Sequence, residues 1–182
     1  MLKIKRKKVS TLEIRAEKLS APNWLFVLPL AGAVLTILIS TSMPYQQQDI
    51  RPWLEHVPFE WLQPYVSVPS FTYGGDPVSV AASGVEGYVE FFIRKASHVF
   101  MFTVIFMAAL FAVYPYSFSF WGKLAGAYSF VFLFALVDEF RQHFSPDRHG
   151  MWQDVVLDMT GVTAAAVIVV LGWLWRYGSK YM

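Results

Sequence analysis

The stretch ALVDEFRQHFSPDRHGMWQDVVLDMTG, residues 135–161, separates two long apolar runs and holds five acids, two arginines and two histidines. Each run has about 20 residues, the length that an α-helix needs to cross a bilayer. Hydrophobic residues make up 55% of the chain and charged residues 15%, against about 25% charged in soluble domains. The sequence therefore predicts a membrane protein that keeps ionisable groups at the ends of its spans.

Four runs are long and apolar enough to span a bilayer: 24–42, 96–114, 119–137 and 155–175. The predicted fold is all-α, a polytopic membrane protein built as a four-transmembrane-helix bundle. The chain has no cysteine, which excludes disulfides, thiolate chemistry and cysteine-ligated metal sites. Small residues four apart, Gly122 with Gly126 and Gly161 with Ala165, predict close helix packing in spans three and four.

Lysine and arginine predict the orientation of the spans. With four spans, both termini share one side of the membrane, and the positive-inside rule marks that side as cytoplasmic. The basic residues predicted on this side are Lys3, Lys5, Arg6, Lys7, Lys8, Arg15, Lys18, Lys123, Arg176 and Lys180. Trp24, Trp121, Trp173 and Trp175 also fall at these ends, as expected for an aromatic belt. We expect both termini in the cytoplasm, and no nucleic-acid partner.

Three regions follow from this topology: a basic cytoplasmic arm (1–22), the four-helix membrane domain (23–176) and a cytoplasmic tail (177–182). The membrane domain includes an outer loop, 44–93, rich in proline and aromatic residues. Six of the ten prolines lie in residues 44–77, a density that excludes long helices and central strands, so we expect an ordered loop there against the outer surface, either a lid or an aromatic float. The S-x-x-E spacing of Ser83 and Glu86 predicts the start of a helix that continues into span two.

Polar residues on spans two, three and four fall at one level near the predicted outer side. Spacings of three and four place Asp138 and Glu139 with Gln142, and Asp154 with Asp158, on shared helix faces. Facing lipid, these groups would be costly; facing each other, Lys95, Arg141 and Arg148 neutralise some of the acids. A functional pocket is the main hypothesis and a purely structural network the alternative. The predicted pocket residues are Lys95, His98, Asp138, Glu139, Gln142, Arg148, Asp154 and Asp158.

The segments KASHVF (95–100), DEFRQHFSPDR (138–148) and DVVLDMTG (154–161) resemble the VanZ-like family of bacterial membrane proteins. The resemblance covers about residues 24–175 and implies a four-helix membrane fold, with a founding member associated with resistance to teicoplanin. The positions that match are Lys95, His98, Glu139, Gln142, Phe144, Pro146, Arg148, Asp154, Asp158 and Gly161. Arg94 and the long loop 44–94 depart from the family pattern.

Three functions remain open at this stage. The first is lipid binding, in which the pocket holds the headgroup of a cell-envelope lipid or a cell-wall lipid intermediate. The second is a hydrolase or transferase acting on a phosphate-linked lipid, and the third is an ion-coupled transporter, which would need a homodimer. No cofactor is expected under the first; under the second, Glu139, Asp154, Asp158 and His98 offer ligands for a divalent cation. The sequence assigns no catalytic residue.

Overall fold

The structure is a computed structural model that describes residues 24–59, 63–66, 69–144 and 150–178. Four long apolar helices confirm the predicted all-α, multi-pass membrane fold. The elements are α1 (Trp24–Ser42), α2 (Tyr45–Gln48), α3 (Arg51–Leu54), α4 (Gln63–Val66), β1 (Phe71–Tyr73), β2 (Asp76–Val78), α5 (Val80–Ala112), α6 (Phe120–His143) and α7 (Trp152–Gly178). The predicted arm, residues 1–22, and the tail beyond residue 178 lie outside the described residues.

Helix α5 starts earlier than the sequence predicts. Its N-cap is Ser79, whose hydroxyl accepts a hydrogen bond from the Ala82 amide at 3.2 Å, so the helix begins at Val80 rather than at Ser83. Gly84 interrupts it with a φ of 73°, a conformation that glycine adopts without steric cost. The helix then continues to Ala112, as predicted, and carries both the loop-contacting residues and span two.

Consecutive long helices run antiparallel, whereas α5 and α7 run parallel to each other, as do α1 and α6. At one end of the bundle, Phe26 of α1 lies 4.9 Å from Phe111 of α5, and Trp121 of α6 lies 5.8 Å from Trp173 of α7, between ring centroids. At the other end, which we call the loop end, the C-termini of α1 and α6 meet the N-terminus of α7. The predicted grouping of tryptophans at one end is therefore present, and the polar segments lie at the opposite end.

Helix α5 lies at the centre of the bundle and contacts α1, α6 and α7. The apolar core includes Phe102, Ile105 and Phe106 of α5 with Val131 of α6 and Val162 of α7, all at most 1% exposed. Most other large apolar side chains face outward, as expected where lipid replaces water as the solvent. The side chains that other protein residues bury are thus mainly those at the contacts between the helices.

Close packing occurs at one of the two predicted small-residue pairs. A Cβ added at Gly161 would lie 2.5 Å from Val99 Cγ1 and 3.1 Å from the Val99 carbonyl oxygen, so α5 and α7 touch there. By contrast, a Cβ at Gly126 meets no atom within 4 Å, and one at Gly122 meets only side chains of the helix N-terminus. The prediction is confirmed for Gly161 and wrong for the Gly122–Gly126 pair.

The outer loop is ordered in its described parts, as predicted. Its three helices have four residues each, and β1 and β2 form an antiparallel hairpin in which Tyr73 pairs with Asp76. Gly74 and Gly75 make the two-residue turn with φ values of 63° and 99°, the backbone that such a tight hairpin requires. Phe71 and Tyr73 of the hairpin pack on Phe91 of α5, which fixes the hairpin over the loop end.

Candidate functional site

Lys95 and Asp154 join α5 to the start of α7. The Lys95 ammonium forms an ion pair with Asp154 Oδ1, and both side chains are 14% exposed. The Tyr73 hydroxyl donates a hydrogen bond of 2.6 Å to the same oxygen, and the Lys95 ammonium lies 4.7 Å from the centre of the Tyr73 ring. Burial, reinforced by the bond to Asp154, raises the pKa of the Tyr73 hydroxyl, so it stays a donor.

His98 and Asp158 lie one helical turn deeper in the same interface. His98 Nδ1 is 3.9 Å from Asp158 Oδ2, which is longer than a hydrogen bond. Asp158 is 1% exposed, and neither of its carboxylate oxygens has a hydrogen-bond partner among the residues that the structure describes. A buried carboxylate without a donor is rare in folded proteins, because its desolvation is uncompensated. Asp158 is therefore a buried carboxyl group that the described residues leave without a hydrogen bond.

Glu139 lies at the end of α6 and faces the start of α7. Its Oε2 accepts a hydrogen bond of 2.8 Å from the Met151 amide, and the residue is 7% exposed. Gly150 allows this approach, because a Cβ there would overlap the Glu139 carbonyl oxygen. This hydrogen bond therefore connects the residues just before α7 to α6. It also places a third acid on the side of the bundle occupied by Asp154.

Asp138 belongs to a different contact network. Its Oδ1 accepts hydrogen bonds from Thr41 Oγ1 at 3.0 Å and Arg141 Nη2 at 2.8 Å, and its Oδ2 accepts one from Gln142 Nε2 at 2.8 Å. The predicted neutralisation of acids by Arg141 is confirmed here, as is the shared face of Asp138 and Gln142. However, these bonds reach α1, whereas the other acids face α5 and α7. Consecutive residues on a helix point about 100° apart, which separates Asp138 from Glu139.

The structure leaves one predicted site residue undescribed and brings no evident metal-ligand group together. Arg148 lies outside the described residues. Within the described ranges, no three histidine or acidic side chains converge as metal ligands would. The predicted residues that share the α5–α7 interface are Lys95, His98, Asp154 and Asp158, with Glu139 beside them.

An apolar groove of about 680 Å³ adjoins the Lys95 side chain. It runs between α5 and α7 and below the hairpin, and Lys95 is its only charged lining residue among those described. The aromatic and aliphatic side chains that line it include Phe71, Phe92, Val99, Phe100 and Leu157. Because the groove is lined by apolar side chains and one lysine, its chemistry suits an amphipathic molecule.

Sequence reasoning missed a second polar cluster, formed by the loop and the first half of α5. The Tyr45 hydroxyl lies 3.0 Å from both oxygens of Glu90, which is only 4% exposed, and Arg51 Nε lies 3.4 Å from the same carboxylate. Burial and the Glu90 carboxylate raise the pKa of Tyr45. The spacing of Glu90 and Arg94, four residues apart on a helix, was the signal that could have revealed this face. Tyr45 and Arg51 had no such signal, because they lie in the proline-rich loop.

Comparison with known proteins agrees with the geometry. The family model VanZ/LLP1 matches residues 26–175 and so covers all four long helices and the outer loop between them. No curated protein and no solved structure matches the chain. The match includes every described residue of the α5–α7 interface, so the chain belongs to the VanZ/LLP1 family of membrane proteins.

Proposed function

We propose that this protein binds the polar headgroup of a cell-envelope lipid or cell-wall lipid intermediate at the loop end of its bundle. By this binding it modulates properties of the envelope, including susceptibility to glycopeptides such as teicoplanin. The loop end faces outward in this proposal, with both termini in the cytoplasm of a bacterium. The positive-inside distribution of lysine and arginine supports that orientation.

The observation that carries the proposal is the position of Lys95 between a polar cluster and an apolar groove. On one side, Lys95 meets Asp154 and Tyr73; on the other, it lines the groove of about 680 Å³ between α5 and α7. A lipid needs both environments at once, a charged or hydrogen-bonding group for its head and an apolar channel for its chain. The volume lies within the roughly 300–1,000 Å³ of small-molecule sites.

The acids deeper in the interface supply further contacts. Asp158 has two carboxylate oxygens that accept nothing from the described residues, so hydroxyl, amide or ammonium groups of a headgroup are suitable donors. His98 and Glu139 lie beside it and extend the set of hydrogen-bonding groups. In this proposal Arg148 adds a guanidinium fork for phosphate or carboxylate, as the sequence predicted. Gln142, which the sequence also placed in the pocket, donates to Asp138 instead.

Native mass spectrometry of the purified protein tests the proposal, because it identifies a lipid that stays bound through purification. We expect a defined headgroup class to be retained, and we expect Ala96→Trp, which fills the groove, to remove it. Ala164→Trp is the matched control, since Ala164 lines a different apolar groove between α6 and α7. Equal retention by both variants, or retention of bulk phospholipid alone, would refute headgroup binding in this groove.

A second candidate function, hydrolysis or transfer at a phosphate-linked lipid, is favoured by the position of His98, whose Nδ1 lies 3.9 Å from Asp158 Oδ2. In such a reaction His98 Nε2 takes a proton from water while the water oxygen attacks phosphorus, the phosphorus–oxygen bond to the lipid breaks, and the departing lipid oxygen receives that proton. Release of phosphate from a lipid monophosphate and a lipid diphosphate is the assay. Turnover that His98→Gln abolishes and His143→Gln preserves, with Mn²⁺ and Zn²⁺ added in turn, would establish an enzyme.

A further inference from the structure

A second pocket, of about 230 Å³, lies between the outer loop and the first half of α5. It shares a wall with the groove, because Tyr73, Phe91 and Lys95 line both. At about 30 Å³ per liquid water molecule, its volume equals that of roughly eight waters. It is therefore large enough for a small oxyanion but below the usual range of about 300–1,000 Å³ for larger organic ligands.

The charged residues that line this pocket are three cations and two acids: Arg51, Arg94, Lys95, Asp76 and Glu90. Two of the cations already have carboxylate partners. Arg51 binds both oxygens of Asp49, with nitrogen–oxygen distances of 2.8 and 2.6 Å, and Lys95 binds Asp154. The Arg51 bonds hold the pKa of Asp49 at about 2, so this pair is fully ionised near neutral pH.

Arg94 is the cation that lacks such a partner. No carboxylate oxygen of the described residues lies within 4.0 Å of its guanidinium, whose recorded contact is with the Tyr45 ring, 5.2 Å from the centroid. Tyr45 is itself fixed by its hydroxyl bonds to Glu90, so the ring forms a rigid support for Arg94. A half-buried guanidinium thus lines the pocket, and no acceptor among the described residues takes a hydrogen bond from it.

We infer that this pocket binds a phosphate group, with Arg94 as the principal contact. A guanidinium fork donates two parallel hydrogen bonds to an oxyanion and stays charged at every physiological pH. The pocket is also lined by Arg51 of the loop helix α3 and by Lys95 of α5, the helix that carries Arg94. Cationic groups from the loop and from α5 therefore face one small pocket, and the two or three negative oxygens of a phosphate suit such a site.

This inference goes beyond the proposed function and does not rest on it. The recorded contacts of Arg94 and Arg51 are with loop residues and Glu90, none of which lies in the α5–α7 interface. The phosphate comes either from a lipid headgroup at the membrane surface or from a free phosphate in solution. Both sources have the same chemistry at the pocket, and the experiment separates them.

The test measures binding of inorganic phosphate to the full-length protein in detergent by isothermal titration calorimetry. Nanodiscs that contain phosphatidic acid or only phosphatidylcholine form the lipid arm. Arg94→Gln should weaken phosphate binding by about tenfold or more, since it removes a charge-assisted pair of hydrogen bonds. Arg176→Gln is the matched control, because Arg176 also stacks on a tyrosine ring, at 5.9 Å from Tyr177, but at the opposite end of the bundle.

Arg94→Lys, which keeps the charge and loses the fork, serves as a second variant should Arg94→Gln fail to fold, and it should also bind phosphate more weakly. Binding of phosphatidic acid with no response to inorganic phosphate would identify the lipid as the source and support the inference. Equal binding of acetate and phosphate, equal effects of the Arg94 and Arg176 variants, or no binding in either arm would overturn it. The lipid-retention measurement on Ala96→Trp is separate, so the two proposals fail independently.

Discussion

Asp138 and Asp158 are equally buried, at 1% exposure, yet their surroundings differ completely. Asp138 accepts hydrogen bonds from three side chains and forms an ion pair with Arg141. Asp158 accepts none from the described residues, and its nearest cationic candidate, His98, is 3.9 Å away. A carboxylate with all its bonds formed holds helices together, whereas one without bonds costs stability and is retained for another reason.

The comparison separates the polar residues of this chain into two groups. The Asp138 group joins α1 to α6 and fits the structural alternative, in which polar side chains only connect helices. The Asp158 group lies between α5 and α7, beside the groove, and fits the functional hypothesis. The single polar cluster that the sequence predicts is therefore two clusters with different contacts.

The largest expected effect is that of Asp138→Ala, which removes the common acceptor of the Asp138 group. Its removal takes one acceptor from each of Thr41, Arg141 and Gln142, and we expect a loss of about 2–4 kcal/mol in the free energy of unfolding. The value lies in the lower part of the range for buried pairs, because the Arg141 side chain is 36% exposed. Chemical unfolding in mixed micelles measures it. A change below about 0.5 kcal/mol would show that the network is not structural.

Gly161→Ala tests the contact that holds the Asp158 group in place. The added Cβ would meet Val99 and Thr103, so α5 and α7 must separate, at a cost of about 1–3 kcal/mol. Gly126→Ala is the control, since a Cβ there meets nothing within 4 Å, and the same unfolding assay compares the two variants. If both variants are as stable as wild type, the close approach at Gly161 is wrong.

Thr41→Val removes one of the three side chains that donate hydrogen bonds to Asp138. Asp138 keeps Arg141 and Gln142, so we expect a loss of only about 1 kcal/mol. The measurement is again the free energy of unfolding, with the exposed Thr36→Val in the same helix as the control. A loss as large as that of Asp138→Ala would mean that Thr41 is essential to the whole network.

The smallest effect is expected at Asp49, a half-buried acid of the outer loop whose pKa is lowered to about 2 by its hydrogen bonds to Arg51. A lowered pKa in the folded state stabilises the protein above the ordinary pKa of 3.8, and this contribution is lost as the pH falls toward 2. Asp49→Asn should therefore lower stability slightly at pH 7, where wild type has this contribution, and flatten the pH dependence of stability between about pH 4 and 2. Unfolding temperatures across that range check the sign, and a steeper dependence in the variant would contradict it.

The four spans were predictable from the sequence because membrane-spanning helices obey simple rules of length and apolar composition. The helix ends differ from the predicted ones. Ser79 rather than Ser83 caps α5, and α6 continues beyond residue 137 to His143. The burial of Asp138, Glu139 and Asp158 also followed, since charged groups avoid lipid.

What the sequence could not supply was the direction of each side chain. Asp138 and Glu139 are adjacent in sequence, but their recorded partners lie on α1 and just before α7. The loop contributions of Tyr73 and Tyr45 were also unpredictable, because short proline-separated segments carry no periodic signal. Long-range contacts of this kind depend on how the loop folds over α5.

The most direct test is to compare the unfolding temperatures of Asp158→Asn and Asp138→Asn after lipid has been stripped from both. We predict that Asp158→Asn is at least as stable as wild type, because it removes a buried carboxylate that has no partner. Asp138→Asn should unfold several degrees lower, because it weakens the ion pair with Arg141. If Asp158→Asn loses as much stability as Asp138→Asn, both acids are structural, and the α5–α7 interface holds no site awaiting a ligand.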